Sequence, residues 1–195
     1  MANDVAIPKD QKIFSIRELK GRGLSLYKIG KLVKSGDLIK LNKSHYENAR
    51  YIGEENDFYY VAAYAPHGVI CLLSAAAYYN LTTYVPDAID AAIPRKSKAS
   101  LASAWPAINV RYYTNERYNL GMTTVREGKN QFKIYDLEKT VVDVVSYREK
   151  IGIEETKEIL TTYIRRKDRN LNLLLKYAEQ MKCVGTLRLY LEALL

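Results

Sequence analysis

Lys28, Lys31 and Lys34 recur every third residue, just behind Ser25 and Tyr27. Residues three and four apart are neighbours on a helix surface, so this spacing gathers cations on one side. The chemistry open to them is electrostatic. Each Lys or Arg set on a phosphate releases a condensed counterion, and polar groups near a helix start reach base edges. Ser25, Tyr27, Lys28 and Lys31 are the candidates for base contacts, and Arg17, Lys20, Arg22, Lys34, Lys40 and Lys43 for phosphate contacts. The charge balance is lopsided in the same sense. Residues 1–50 hold 11 Lys or Arg against 5 Asp or Glu, so they carry +6 of the chain's net +8. Such a distribution suits a polyanion partner.

These residues need elements to hold them. Ser15-Ile16-Arg17-Glu18 matches a capping box, and Gly21-Arg22-Gly23 supplies a tight stop behind a short helix. Ser25 is a second N-cap. Leu26, Ile29, Leu32 and Val33 then form an apolar stripe that ends at Gly36, with Tyr27, Lys28, Lys31 and Lys34 opposite. A strand is expected over 37–41, a turn at Asn42-Lys43-Ser44 and a return strand from His45-Tyr46. Helix, glycine turn, basic second helix and hairpin together predict a winged helix-turn-helix, whose second helix enters the major groove. Residues 1–14 are weakly patterned and interrupted by Pro8.

A polar, glycine-containing stretch, Gly53-Glu54-Glu55-Asn56-Asp57, is the expected linker. It divides a DNA-binding domain, 1–50, from a larger mixed α/β domain, 58–195, with a helical C-terminal end. The class expected for the whole is α+β. In the second stretch, 58–65 suits a helix or a strand, 72–79 is helical by alanine content, and 88–94, 110–113 and 131–135 suit strands. Asp136 caps a helix through Val145, and helices at 154–166, 171–181 and 186–195 close the chain.

Asp136, Glu138, Lys139 and Asp143 resemble an acid–base or metal-binding set. The same spacing suits a cap, an acidic first turn and an i,i+4 ion pair, and this is the reading adopted. Arg165, Arg166, Lys167 and Arg169 are the densest basic run. They suit a cationic helix end, or a second DNA-facing patch. Cys71 and Cys183 lie far apart, and His45 and His67 have no ligand companions, so no structural metal, cofactor or disulfide is expected. No phosphate loop, dinucleotide fingerprint or nucleophile elbow occurs, and an enzyme is not expected. Residues 1–14 lack the apolar run of a secretory leader, so a cytoplasmic location with no membrane partner is expected.

Four segments carry a resemblance. They are Ser15-Ile16-Arg17-Glu18-Leu19 with 24–39, Cys71 to Thr82 with Val85-Pro86, Tyr135 to Asp143, and Tyr163-Ile164-Arg165-Arg166-Lys167. In this order they resemble the antitoxins of the AbiE abortive-infection systems, the type IV toxin–antitoxin pairs of bacterial phage defence. The resemblance implies that the N-terminal domain binds inverted repeats in its own promoter, on double-stranded DNA, and represses the operon. It further implies that the C-terminal domain counters a nucleotidyltransferase-like toxin without a stable complex. A well-formed first helix, usual in that family, is not evident in residues 1–14. Two other classes fit less of the chain: a winged-helix adaptor that binds protein, and a small hydrolase or transferase built on 136–143.

Overall fold

Serine hydroxyls start the first two helices. In the computed structural model, which describes residues 7–99 and 105–194, Ser15 Oγ accepts from Glu18 N at 3.2 Å and Glu18 Oε2 accepts from Ser15 N at 2.7 Å. This capping box launches α1, Ile16–Gly21. Gly23 turns the chain at φ +85°, and Ser25 caps α2, Leu26–Lys34, by accepting from Lys28 N at 3.3 Å. Gly36, at φ +80°, ends that helix.

A small sheet accompanies these helices. Ile13–Ser15 is β1, Leu38–Lys40 is β2 and His45–Asn48 is β3. They pair antiparallel in the order β1-β3-β2, with Phe14 opposite Tyr46 and Ile39 opposite Glu47. Every element contributes to one core of Phe14, Leu19, Leu24, Ile29, Leu38 and Tyr46. β1 was not expected from the sequence, because three residues are too few to display alternation.

The described residues divide into two compact units, and the division is not the linear one drawn from composition. The first unit takes the chain up to Pro66 together with Lys98–Pro106 and Val125–Phe132. The second takes His67–Ser97, Ala107–Thr124 and Lys133–Leu195. A boundary at 51–57 therefore falls inside the first unit. That unit also holds a 3-10 turn, Asp57–Tyr60, and α3, Val61–Tyr64. Asn130 ties its distant pieces together. Its Oδ1 accepts from Lys12 N at 2.7 Å, and its Nδ2 donates to Tyr51 OH at 3.0 Å.

The second sheet is built from Val69–Ile70 (β4), Ile89–Pro94 (β5), Ile108–Tyr113 (β6), Met122–Glu127 (β7) and Asn130–Tyr135 (β8). Its order is β6-β5-β4-β8-β7; β4 is antiparallel to β5 and parallel to β8, and β5 is parallel to β6. The helices are Leu72–Tyr78 (α4), Asn115–Asn119 (α5), Leu137–Ser146 (α6), Arg148–Ile151 (α7), Ile153–Arg165 (α8), Leu171–Gln180 (α9) and Val184–Leu194 (α10). Asp136 caps α6, accepting from Lys139 N at 2.8 Å. Val141, Val142, Val144 and Val145 of this helix are fully buried, in one core with Ile159, Leu160, Tyr163, Leu174 and Leu187. The fold is thus a mixed α+β one. The strands expected at 88–94, 110–113 and 131–135 are present, whereas the short β4 and α5 and the strand β7 were not expected. Residues 1–6 of the weakly patterned start, and Leu195 of the last expected helix, lie outside the described residues. No helix among the described residues is long and apolar enough to cross a membrane.

Candidate nucleic-acid interface

A groove-entering helix needs a sealed inner face and an uncovered outer one. Ile29 seals α2 against the first unit's core, with Leu32 and Val33 half-buried beside it. The base-side candidates Ser25, Tyr27, Lys28 and Lys31 are all exposed, and so is Lys34. Tyr27 is 72% exposed, and the Lys31 ammonium sits 4.9 Å from its ring centroid. This cation–π contact holds the two side chains together as one outward group. Ser25 caps α2 as expected: its hydroxyl oxygen accepts from Lys28 N, and the hydroxyl hydrogen and a second lone pair remain for a contact outside the protein.

One residue of the apolar stripe departs from expectation. Leu26 is 59% exposed, although its spacing from Ile29 and Val33 placed it on the inner face. It occupies the first position of the helix, at the edge of the stripe.

The phosphate-side candidates Arg17, Lys20, Arg22, Lys34, Lys40 and Lys43 are also exposed. Arg22 is the most constrained, donating to Gln11 Oε1 at 3.2 Å and lying 5.5 Å from the Phe14 ring centroid. At the hairpin tip, Asn42 is a structural residue. Its Oδ1 accepts from Ser44 N at 2.9 Å and His45 N at 3.0 Å, while its Nδ2 donates to Ala63 O at 2.8 Å. Lys43 is carried outward on this clamped turn. Lys12, by contrast, is buried against Glu47 at 3.1 Å and Glu55 at 2.8 Å. The exposed cations are therefore a selected subset of the basic residues.

The second basic run is only partly available. Arg166 grips Asp168 through two bonds, at 2.9 and 2.8 Å, and donates to Tyr79 O at 2.8 Å. Arg169 donates to Arg166 O at 2.6 Å. Arg165 and Lys167 are exposed. Arg166→Ala is accordingly expected to lower stability by about 1.5–3 kcal/mol, the worth of a charge-assisted bond to a carbonyl. Affinity for DNA should stay within twofold. Thermal melts and duplex titrations check both, and loss of affinity at unchanged melting temperature would make Arg166 a phosphate contact instead.

The set at 136–143 is an internal network. Lys139 and Asp143 are fully buried and 2.6 Å apart. Arg117 joins at 2.7 Å from the other carboxylate oxygen, its guanidinium 4.4 Å from the ring centroids of both Tyr113 and Tyr147. Tyr113 OH donates to Asp143 at 3.3 Å, and Lys139 Nζ lies 4.1 Å from the Tyr135 ring centroid. Desolvation draws the Lys139 pKa below its ordinary value, against the attraction of Asp143. The i,i+4 spacing was visible in the sequence, but the burial and the part played by Arg117 were not. Among the described residues, no three His, Cys, Asp or Glu side chains gather as a metal site requires.

No protein-family model matches this sequence, and no curated protein matches it either.

Proposed function

We propose that the chain is a sequence-reading DNA-binding protein whose first unit works as a winged helix-turn-helix. One observation carries this reading. β1, α1, α2, β2 and β3 follow one another with the sheet order β1-β3-β2, and exposed cations line both helices, the hairpin strand β2 and its tip. In that arrangement α2 is the reader, α1 braces it, and the hairpin is the wing that reaches flanking phosphate. The order of strands supports counting α1 and α2 as the second and third helices of such a domain, with β1 ahead of them. Exposed Leu26, Tyr27 and Ile39 favour the rival reading, a winged helix that docks protein. The cations around them weigh toward a polyanion.

The resemblance to AbiE antitoxins extends the proposal. On that reading the protein binds inverted repeats in its own promoter and represses the operon. Its second unit counters a nucleotidyltransferase-like toxin without a stable complex, and the protein is not itself an enzyme. Titration of a duplex from upstream of its own gene, against a scrambled duplex at two salt concentrations, tests the DNA-binding core of the reading. A preference for the upstream duplex and a steep salt dependence are expected; equal, weak binding of both would overturn it.

Lys43 should behave as a phosphate contact on the wing. Lys43→Ala is expected to weaken binding to every sequence alike and to reduce the slope of log affinity against log salt by about one. A loss confined to the preferred duplex, at unchanged slope, would show that the wing reads bases.

A further inference from the structure

A cavity of about 240 Å³ lies in the second unit, bordered by residues of α4, β5, β6, α7 and α8. It has room for about eight waters, less than a drug-sized ligand needs, so it suits one small metabolite. Its lining carries two charges of each sign: Asp90 and Glu155, Arg111 and Lys150. Asp90 and Arg111 are only half committed to each other. Arg111 Nε and Nη2 both donate to Asp90 Oδ1, at 3.1 and 2.9 Å, which leaves Asp90 Oδ2 and Arg111 Nη1 outside the pair. Lys150 and Glu155 form no ion pair among the described residues. The Lys150 ammonium stands 5.8 Å from the Tyr147 ring centroid, and the Glu155 carboxylate leans over Gly152 at the start of α8. The rest of the lining is Leu72, Leu73, Ile151, Tyr84 and Tyr147. Leu72 holds φ +49°, a left-handed conformation that its Cβ disfavours, and strain of this kind gathers where ligands are clamped.

We propose that this cavity binds a free α-amino acid with a large apolar side chain, as its zwitterion. The site is separate from the DNA-binding face and does not depend on it. Charge balance selects the occupant. A simple anion or a simple cation would leave a surplus of one sign away from water, which is costly, whereas a zwitterion adds one charge of each sign. A mononucleotide brings negative charge alone, and the end of a peptide chain brings a single charge. The amino-acid carboxylate meets Arg111 Nη1 and Lys150, its ammonium meets Asp90 Oδ2 and Glu155, and its side chain packs on Leu72, Leu73 and Tyr84.

Isothermal titration of the full chain with L-leucine, L-methionine, L-phenylalanine and L-tryptophan tests the site. At least one should bind with saturable heat at millimolar concentration or below. The N-acetyl derivative of the best binder lacks the ammonium, and its amide lacks the carboxylate. Each should bind at least about tenfold more weakly, because each loses a charge-assisted bond. Lys150→Gln and Tyr84→Ala change exposed side chains, so both variants should melt as wild type does while binding the amino acid several-fold more weakly. A derivative that binds as tightly as the parent amino acid overturns the zwitterion. Absence of saturable heat with all four amino acids, or unchanged affinity in both folded variants, overturns the site.

Discussion

Asp143→Ala is expected to destabilise the second unit by about 3–5 kcal/mol, the cost of breaking a buried ion pair by removing one partner. Asp143 is the shared anion of its network. One oxygen holds Arg117 at 2.7 Å, and the other holds Lys139 at 2.6 Å and Tyr113 OH at 3.3 Å. Without the carboxylate, the fully buried Lys139 ammonium and the largely buried Arg117 guanidinium lose their anion; Arg117 keeps Ser146 Oγ at 3.4 Å, and both keep the aromatic rings beside them. Domains are stable by only about 5–15 kcal/mol, so this single change takes much of the margin. Lys139→Met provides the contrast. It removes one cation, keeps the Arg117–Asp143 bond, and puts a flexible apolar chain where the Lys stem lies, so it should cost distinctly less. Urea denaturation followed by circular dichroism measures both, provided that the slope m is unchanged. An Asp143→Ala midpoint within experimental error of wild type would mean that the network contributes nothing net.

The second large effect is on DNA. Lys28→Ala with Lys31→Ala should weaken binding to the upstream duplex at least about thirtyfold, taking about 1 kcal/mol as the lower worth of each contact. The fold should survive, because both side chains are exposed. The cap survives too: Ser25 is bonded by the backbone N of Lys28, which alanine retains. Lys31→Ala also removes the cation from above the Tyr27 ring, so the double variant should lose base preference as well as phosphate attraction. Anisotropy titrations on upstream and scrambled duplexes separate these effects. Affinity within twofold of wild type, at an unchanged melting temperature, would remove α2 from the interface.

How much of this was legible beforehand depended on how local the cause was. The caps at Ser15, Ser25 and Asp136, the glycine stops at Gly23 and Gly36, and the closing helices follow from neighbours within a turn, and they were legible. β1 was not, because Ile13–Ser15 becomes a strand only by pairing with His45–Asn48. Leu26 was assigned inward because a periodic stripe ignores where the core runs out. The cation face was legible as a list of residues, but not the withdrawal of Arg166 to Tyr79 and Asp168. Nor was the return of Val125–Phe132 to the first unit, which no window of neighbouring residues contains.

That return has a consequence for synthesis. The bond from Lys12 N to Asn130 Oδ1 spans 118 residues, and the bond from Asn130 to Tyr51 spans 79. A ribosome adding about 5–20 residues per second leaves roughly 6–24 s between the emergence of the two ends of the longer contact. During that interval the residues of the capped helices and the small sheet have left the ribosome, but the unit they belong to lacks its last piece. Its polar seam, which includes the buried Lys12 N–H, faces water instead of the Asn130 carboxamide. Maturation of the amino-terminal unit is therefore clocked by translation of the middle of the chain. Nascent chains truncated before Asn130 should be digested by protease within residues 7–66, and chains that expose Asn130 should be protected there.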